Sequence, residues 1–374
     1  MNVKSNSKKS NENFIENGDI FFFYRPKIDT EEVSDIEDVQ RFYMITSPDN
    51  NYKKKDRDYR LFMLGSKKMP EIIEGKTMSE ERNWALNILT TPNVQKIYKE
   101  ILVPVEYDTK TRGKRTISAA QPVGEGKYCI VEHDGHTELA YVLEIPETPG
   151  PIQTEFDIKK EASYIISVKN PETSIPGYEI FSKGERNPEY PRYIKEKFGK
   201  KRWINIDDPR LINYQNTQVL LIGARKENVK EELDIEINED KENKNSADLF
   251  KELKIKKEEI PLKSFFKGKF PKEKEIPLSK SVKEIKSEKA PGVKGGKKGG
   301  KIAARKSPSA AAIAKILSGI SFPKNKKDIL KIAQKNKKSD PQFKSPELID
   351  ILKKLPEKTY NKITEIQIEV GKLR

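Results

Sequence analysis

The two histidines of the chain lie three residues apart, in the stretch Glu132-His133-Asp134-Gly135-His136. Asp-Gly between two alternating apolar runs favours a two-residue hairpin turn, because both turn residues need a positive φ. Such a hairpin would place His133 opposite His136, with Glu138 on the same face. Two imidazoles and a carboxylate could hold a divalent metal for a hydrolase. Turn chemistry alone also explains the motif, so we predict neither a metal site nor a cofactor.

The sequence offers little else for catalysis. Its single cysteine, Cys129, cannot form an internal disulfide or a thiolate zinc cage. It lies within an apolar run, as a small buried hydrophobic residue would. The chain contains no G-x-S-x-G motif, no Walker loop and no G-x-G-x-x-G motif. We therefore predict that the protein is not an enzyme.

Basic side chains at three places in the first 225 residues are candidates for nucleic-acid contacts. Residues 110–115 carry four positive charges, and Arg112, Lys114 and Arg115 are among them. Two further places, Arg192-Tyr193 and residues 200–203, put cations beside aromatic rings. Such groups can neutralise phosphates and stack on bases. The alternative is ordinary solvated surface charge.

The positive charge of the chain is concentrated in its second part. The 73 Lys and Arg exceed the 58 Asp and Glu by 15, and residues 1–225 hold equal numbers of both, so the whole excess lies in residues 226–374. Lysine-rich segments bind phosphates by releasing counterions, without discriminating sequence; the alternative is a solubilising linker. The predicted nucleic-acid contacts are Lys294, Lys297, Lys298, Lys301, Arg305, Lys306, Lys324, Lys327, Lys331, Lys335, Arg112, Lys114 and Arg115.

The elements that must position these residues follow from apolar patterning. Short runs rich in β-branched and aromatic residues predict strands at 19–25, 39–45, 59–64, 162–168 and 218–222. Ser79 is a candidate N-cap, so we predict one helix over 79–90, another over 92–101 and a short one within 188–198. In the histidine hairpin, Ile130 should lie opposite Leu139.

These elements predict four regions. Residues 1–13 are expected to be disordered, and residues 14–225 to form an α+β domain with a curved, mostly antiparallel sheet. Residues 226–308 are expected to be a disordered Lys-rich linker, polycationic from 260, because they cannot bury enough apolar surface to offset chain entropy. Residues 309–374 are expected to form a small all-α bundle, with helices over 310–317, 325–334, 347–355 and 360–370.

Two regions resemble known families. The sequence ILSGISFP at 316–323, the step Leu355-Pro356 and Tyr360 resemble domain-of-unknown-function family 2795, over residues 312–370. That resemblance implies a small helical fold and no catalytic residues. Residues 14–225 resemble an uncharacterised prokaryotic family, through the stretches at 18–26, 38–43 and 107–113; no activity follows from it.

Together these features favour a non-enzymatic DNA-binding protein of the prokaryotic nucleoid with low sequence specificity. Nucleic acid is the expected partner, DNA before RNA, with a possible protein partner for the N-terminal domain. No apolar run reaches the roughly 20 residues that a membrane span needs, and we expect a cytoplasmic protein without a membrane partner. The alternatives are an RNA- or ribosome-associated factor, a protein-interaction scaffold, and a metal-dependent hydrolase on the N-terminal sheet.

Overall fold

The computed structural model of the protein describes residues 3–5, 13–30, 32–49, 58–72, 82–109, 113–173, 187–224, 229–277, 283–284, 316–317, 320, 323–339, 347–360, 365–366 and 369–370. The chain divides into two units, Met1–Ala290 and Pro291–Arg374.

The strands are β1 Val3–Ser5, β2 Asn13–Pro26, β3 Val39–Pro48, β4 Tyr59–Leu64, β5 Arg82–Thr91, β6 Val105–Thr109, β7 Gly113–Ile117, β8 Gln121–His133, β9 His136–Ile145, β10 Glu161–Lys169, β11 Trp203–Asn205, β12 Gln218–Gly223, β13 Ile235–Ile237, β14 Lys283–Glu284, β15 Lys324–Asn325 and β16 Thr359–Tyr360. The helices are α1 Val94–Ile101, α2 Pro151–Glu155, α3 Arg192–Phe198, α4 Val229–Leu233, α5 Asp248–Lys251, α6 Leu262–Phe266, α7 Lys326–Ser339 and α8 Glu347–Lys353.

The first unit is built on a closed antiparallel barrel of eight strands, in the order β10-β12-β5-β4-β3-β2-β8-β9. Pairing of β9 with β10, for example Leu139 with Tyr164, closes it. The prediction of an α+β domain with a curved, mostly antiparallel sheet was therefore wrong, because the sheet closes into a barrel. Local patterns locate strands, but they do not show that the last strand of a series returns to the first. The short strand β11 pairs with β10 as a ninth, additional strand.

Side chains fill the interior of the barrel. Along β2, Ile20, Phe22 and Tyr24 belong to the interior cluster, while Phe21 and Phe23 belong to a second cluster on the outer surface. All five are fully buried. Alternate side chains of a strand point to opposite faces, so β2 reads as a continuous apolar run because both of its faces are covered.

The chain after residue 225 supplies part of that cover. Leu249, Leu253 and Phe265 are buried in the cluster that contains Phe21 and Phe23. Helix α4 and strand β13 cover the outer side of β8 and β9 in the same way. The prediction of a disordered linker was thus wrong for residues 229–277. The apolar residues of this Lys/Glu-rich segment are widely spaced, and they become buried because they pack on the outside of the barrel. The local sequence pattern does not show that this surface exists.

Two local predictions near α1 had opposite outcomes. The helix predicted over 79–90 was wrong, because residues 82–91 form β5, which pairs with both β4 and β12. The pairing supplies two ladders of hydrogen bonds and overrides helix propensity. The helix predicted over 92–101 is confirmed as α1, whose first turn is capped by the Asn93 side chain accepting from the Gln95 N–H.

The histidine hairpin is confirmed. His133 pairs with His136 and Ile130 with Leu139, and both turn residues have positive φ, 45° at Asp134 and 79° at Gly135. Glycine suits this turn because it adopts positive φ without steric cost.

The second unit is not the all-α bundle that we predicted. Helices α7 and α8 confirm two of the four predicted helices, but β15 and β16 form an antiparallel pair in which Lys324 opposes Tyr360. Tyr360 was predicted to begin the last helix; instead it is fully buried, beside Ile329 and Leu352 in the small core. Burial of the Tyr360 side chain in the core holds its backbone in an extended conformation, although the spacing of apolar residues after it is that of a helix. The helix predicted over 310–317 lies mostly outside the described residues.

Candidate nucleic-acid interface

Helix α7 presents one cationic side to solvent. Lys327, Lys331 and Lys335 are exposed and four residues apart, so they lie above one another on one face. Ile329 and Ala333 point the other way and are fully buried. The sequence left open whether these lysines form a cationic face or merely the outer side of a core helix. Both descriptions hold, since the apolar stripe fixes the helix and the lysines form its exposed ridge. We call Lys327, Lys331 and Lys335 the α7 ridge.

Two positions of the α7 ridge have no acidic partner among the described residues and can meet an anion. Lys327 and Lys331 make no ion pair with any described residue. The neighbouring Lys326, in contrast, pairs with Glu357 at 3.0 Å and is largely covered. Lys324, the other predicted contact, is half-buried in β15. Exposed lysines at helical spacing can follow a run of phosphates.

The predicted contacts in the tail cannot be placed. They fall outside the described residues, as does Arg112 of the 110–115 cluster. They are Lys294, Lys297, Lys298, Lys301, Arg305 and Lys306.

The two described members of the 110–115 cluster have acidic partners. Lys114 pairs with Glu106 on the adjacent strand β6. Arg115 pairs with Asp29 at 2.6 Å and its side chain is only 20% exposed. Both charges are therefore largely neutralised, and a patch of free cations is not found at these two positions.

The histidine hairpin brings together the residues that the sequence singled out. The rings of His133 and His136 lie 6.0 Å apart, and His136 Nε2 lies 2.8 Å from Oε1 of Glu138. Glu138 is fully buried, and burial raises the pKa of its carboxyl although His136 opposes the shift. Within the described part of the chain, no group of three or more His, Cys, Asp or Glu side chains has the arrangement of a metal site.

A second basic surface lies on the barrel, at α3 and β11. Lys200, Lys201 and Arg202 are exposed and precede Trp203, whose ring packs on Trp84 at 4.8 Å between centroids. Trp84 was missed because its segment was predicted to be helical. The chain has only two tryptophans, and this rarity was the one feature of the sequence that could have drawn attention to Trp84.

A buried charge cluster was missed altogether. Lys127 Nζ lies 2.7 Å from Asp19 Oδ1 and 3.9 Å from Glu144, and also pairs with Asp248 of α5. Glu125, fully buried, accepts hydrogen bonds from the backbone N–H groups of Asp248 and Leu249. Charged residues that alternate with glycine, as at 124–127, predict a strand face exposed to solvent. In the folded protein the segment around Asp248 packs over this face.

Burial dominates the electrostatics of this cluster. It raises the pKa of Asp19 to about 6, of Glu144 to about 7 and of Glu125 to about 8, although Lys127 and backbone donors oppose these shifts. For Lys127, burial alone would lower the pKa, but the surrounding carboxylates raise it above its usual value. The ion pairs and hydrogen bonds of this cluster therefore connect the segment 240–248 to the barrel.

Comparison with known proteins finds a match in the second unit only. Residues 308–367 match the family described as a protein of unknown function, DUF2795. The expected resemblance of the C-terminal region is thereby confirmed, and the matched segment contains α7, its ridge and α8. No comparison supports the family resemblance expected for residues 14–225. No curated protein and no solved structure matches the chain. None of the described helices is both long and apolar enough to cross a membrane.

Proposed function

We propose that the protein binds nucleic acid without catalysis, duplex DNA in preference to RNA, and that it acts in the prokaryotic nucleoid. The α7 ridge and the cationic segment 294–306 contact phosphates. Because lysines on a helix face offer point charges rather than base-reading forks, binding has little sequence specificity.

The observation that carries this proposal is the exposure of Lys327 and Lys331 without an ion-pair partner among the described residues. A helix held by Ile329 and Ala333 presents these cations at fixed spacing. The excess of +15, confined to residues 226–374, adds long-range attraction that does not depend on geometry. Structured RNA carries the same phosphate charge, so it is the second candidate ligand.

A salt series tests the proposal. The full chain is titrated with duplex DNA and with structured RNA, and the logarithm of affinity is plotted against the logarithm of salt concentration. The double variant Lys327→Gln/Lys331→Gln should flatten the slope for DNA by about 2, because each lost phosphate contact contributes about 0.9. The matched control Lys96→Gln/Lys99→Gln removes two exposed charges from α1 and should leave the slope nearly unchanged.

Three results would contradict the proposal. Absence of binding at physiological salt would mean that the lysine-rich segment is a solvated linker. Equal weakening by the α7 and α1 variants makes binding a matter of net charge alone, without a defined ridge. Tighter binding of RNA than of DNA replaces the DNA assignment with the RNA-associated alternative.

A further inference from the structure

We propose that the outer face of the barrel around Trp84 and Trp203 is a binding site for single-stranded nucleic acid. Bases would stack on the exposed indole surface, and phosphates would lie along Lys200, Lys201 and Arg202. The site lies in the first unit, and its ligand is single-stranded. It therefore does not depend on binding of duplex DNA by the α7 ridge.

The aromatic part of the site is assembled by the sheet. Trp203 pairs with Lys169 of β10, β10 pairs with β12, and Trp84 lies opposite Leu220 of β12. The two rings come into contact across these strands, with 38° between their planes. Both indoles are partly exposed. A partly exposed aromatic pair of this kind offers a π-face to an unstacked base.

The surroundings of the tryptophans differ from the outer faces of β2 and β8. Ile165, Leu220 and Ile222 alternate with interior residues of β10 and β12, so they point outward. They stay half-exposed, whereas the outward residues of β2 and β8 are buried beneath α1, residues 247–266, α4 and β13. Partly exposed apolar surface that no described element covers, beside two tryptophans, is a feature of many interaction sites.

The cations next to the tryptophans have a fixed backbone and no ion-pair partner among the described residues. Lys200, Lys201 and Arg202 make no ion pair with any residue that the structure describes. Their backbone is held by Asn170, whose N–H donates to the Arg202 carbonyl and whose Nδ2 donates to the Lys201 carbonyl, both at 2.9 Å. Asn170 itself is buried. A fixed backbone lowers the ordering cost of binding.

A cleft beside Trp203 completes the site. It has a volume of about 360 Å³, near the lower end of the range for small-ligand sites. Trp203 lines it together with two basic and two acidic side chains, those of Lys197, Lys201, Glu132 and Asp207. Lys197 pairs with Asp207 at 3.0 Å, so charges inside the cleft largely balance. A neutral base therefore suits the cleft, and the phosphates suit the cationic rim outside it.

A single strand fits these features better than a duplex does. Stacking on an indole needs the face of a base, and a duplex buries those faces in its own stack. The three adjacent cations match the repeated negative charge of one strand.

The chain carries its own reporter for this site, because Trp84 and Trp203 are its only tryptophans. Full-length protein is titrated with short oligothymidylate while indole fluorescence is recorded. We expect saturable quenching. Trp203→Leu, followed through the remaining Trp84, should weaken binding about 5- to 100-fold, whereas Trp203→Phe keeps a ring and most of the affinity. Circular dichroism verifies that each variant is folded.

The charge requirement is tested in the same way. Lys200→Gln/Lys201→Gln/Arg202→Gln should flatten the salt slope for the single strand by about 2, at about 0.7 per phosphate contact. The control Lys96→Gln/Lys99→Gln/Lys244→Gln removes three exposed charges elsewhere in the first unit. Its slope should match that of the unmodified protein.

The outcomes separate this site from the α7 ridge. Quenching that persists in the Lys327→Gln/Lys331→Gln variant supports an independent site, even if duplex binding is lost or was never present. Absence of quenching, loss of quenching in the α7 variant, or equal quenching by polyglutamate overturns the proposal.

Discussion

Replacement of Lys127 by methionine should destabilise the first unit strongly. Lys127 is 7% exposed and lies between the barrel and the segment that contains Asp248. At an effective dielectric constant of about 20, its pair with Asp19 at 2.7 Å is worth roughly 6 kcal/mol before desolvation. Methionine keeps the shape of the side chain but removes the cation beside Asp19 and Glu144, and it leaves Asp248 with the more exposed Lys251 at 3.3 Å. Loss of one partner from such a buried pair costs about 3–5 kcal/mol.

The matched control is Lys160→Met. Lys160 also bridges the barrel and this segment, through Glu239 at 2.5 Å, but both side chains are well exposed, at 36% and 49%. Ion pairs of that kind contribute about 0–1 kcal/mol. Urea unfolding at neutral pH, with the midpoint and the slope fitted separately, measures both variants.

The pH dependence gives the Lys127 prediction a second test. Burial places the folded-state pKa of Asp19 at about 6 and of Glu144 at about 7, above their unfolded values. Stability from these groups is therefore fully present at low pH and is lost as the pH rises through those values. Without Lys127 the pKa values rise further, so the cost of Lys127→Met should grow from pH 5 to pH 8. A cost no greater than that of Lys160→Met, or one that grows toward acid pH, would refute the reasoning.

Three further perturbations test the fold. Glu125→Gln removes a carboxyl whose pKa is raised by burial to about 8. The free energy of unfolding, measured from pH 5 to pH 9, should therefore fall less steeply with rising pH than in the unmodified protein. An unchanged profile would contradict this. Arg60→Met leaves Glu16, its buried partner at 2.6 Å, without this cation, with the Tyr128 hydroxyl still donating to it at 2.7 Å, and should cost about 3–5 kcal/mol in urea unfolding. A cost below about 1 kcal/mol would count against the pair. Gly126→Ala would force a Cβ against the Val142 carbonyl oxygen of the neighbouring strand, so the melting temperature should fall by several degrees, and an unchanged value would show that the strands can separate locally.

The candidate interfaces differ in how far they follow from local pattern. The α7 ridge follows directly from lysines spaced four residues apart, because that spacing places side chains on one side of any helix. The site around Trp84 and Trp203 does not follow, because 118 positions along the chain separate residues that meet only through the pairing of β11, β10, β12 and β5. Local periodicity carries no information about such neighbours.

The sequence by itself determined the positions of most strands, the Asp134-Gly135 turn, α1, α7 and the place where the positive charge accumulates. Each of these depends on neighbours within a few residues, through alternation, turn stereochemistry or capping. Only the tertiary structure decided that the sheet closes into a barrel, that residues 82–91 form a strand and that residues 229–277 pack as its cover. Those outcomes depend on surfaces contributed by distant segments, since a strand, an apolar anchor or a buried charge such as Lys127 is stabilised by partners that local sequence does not specify.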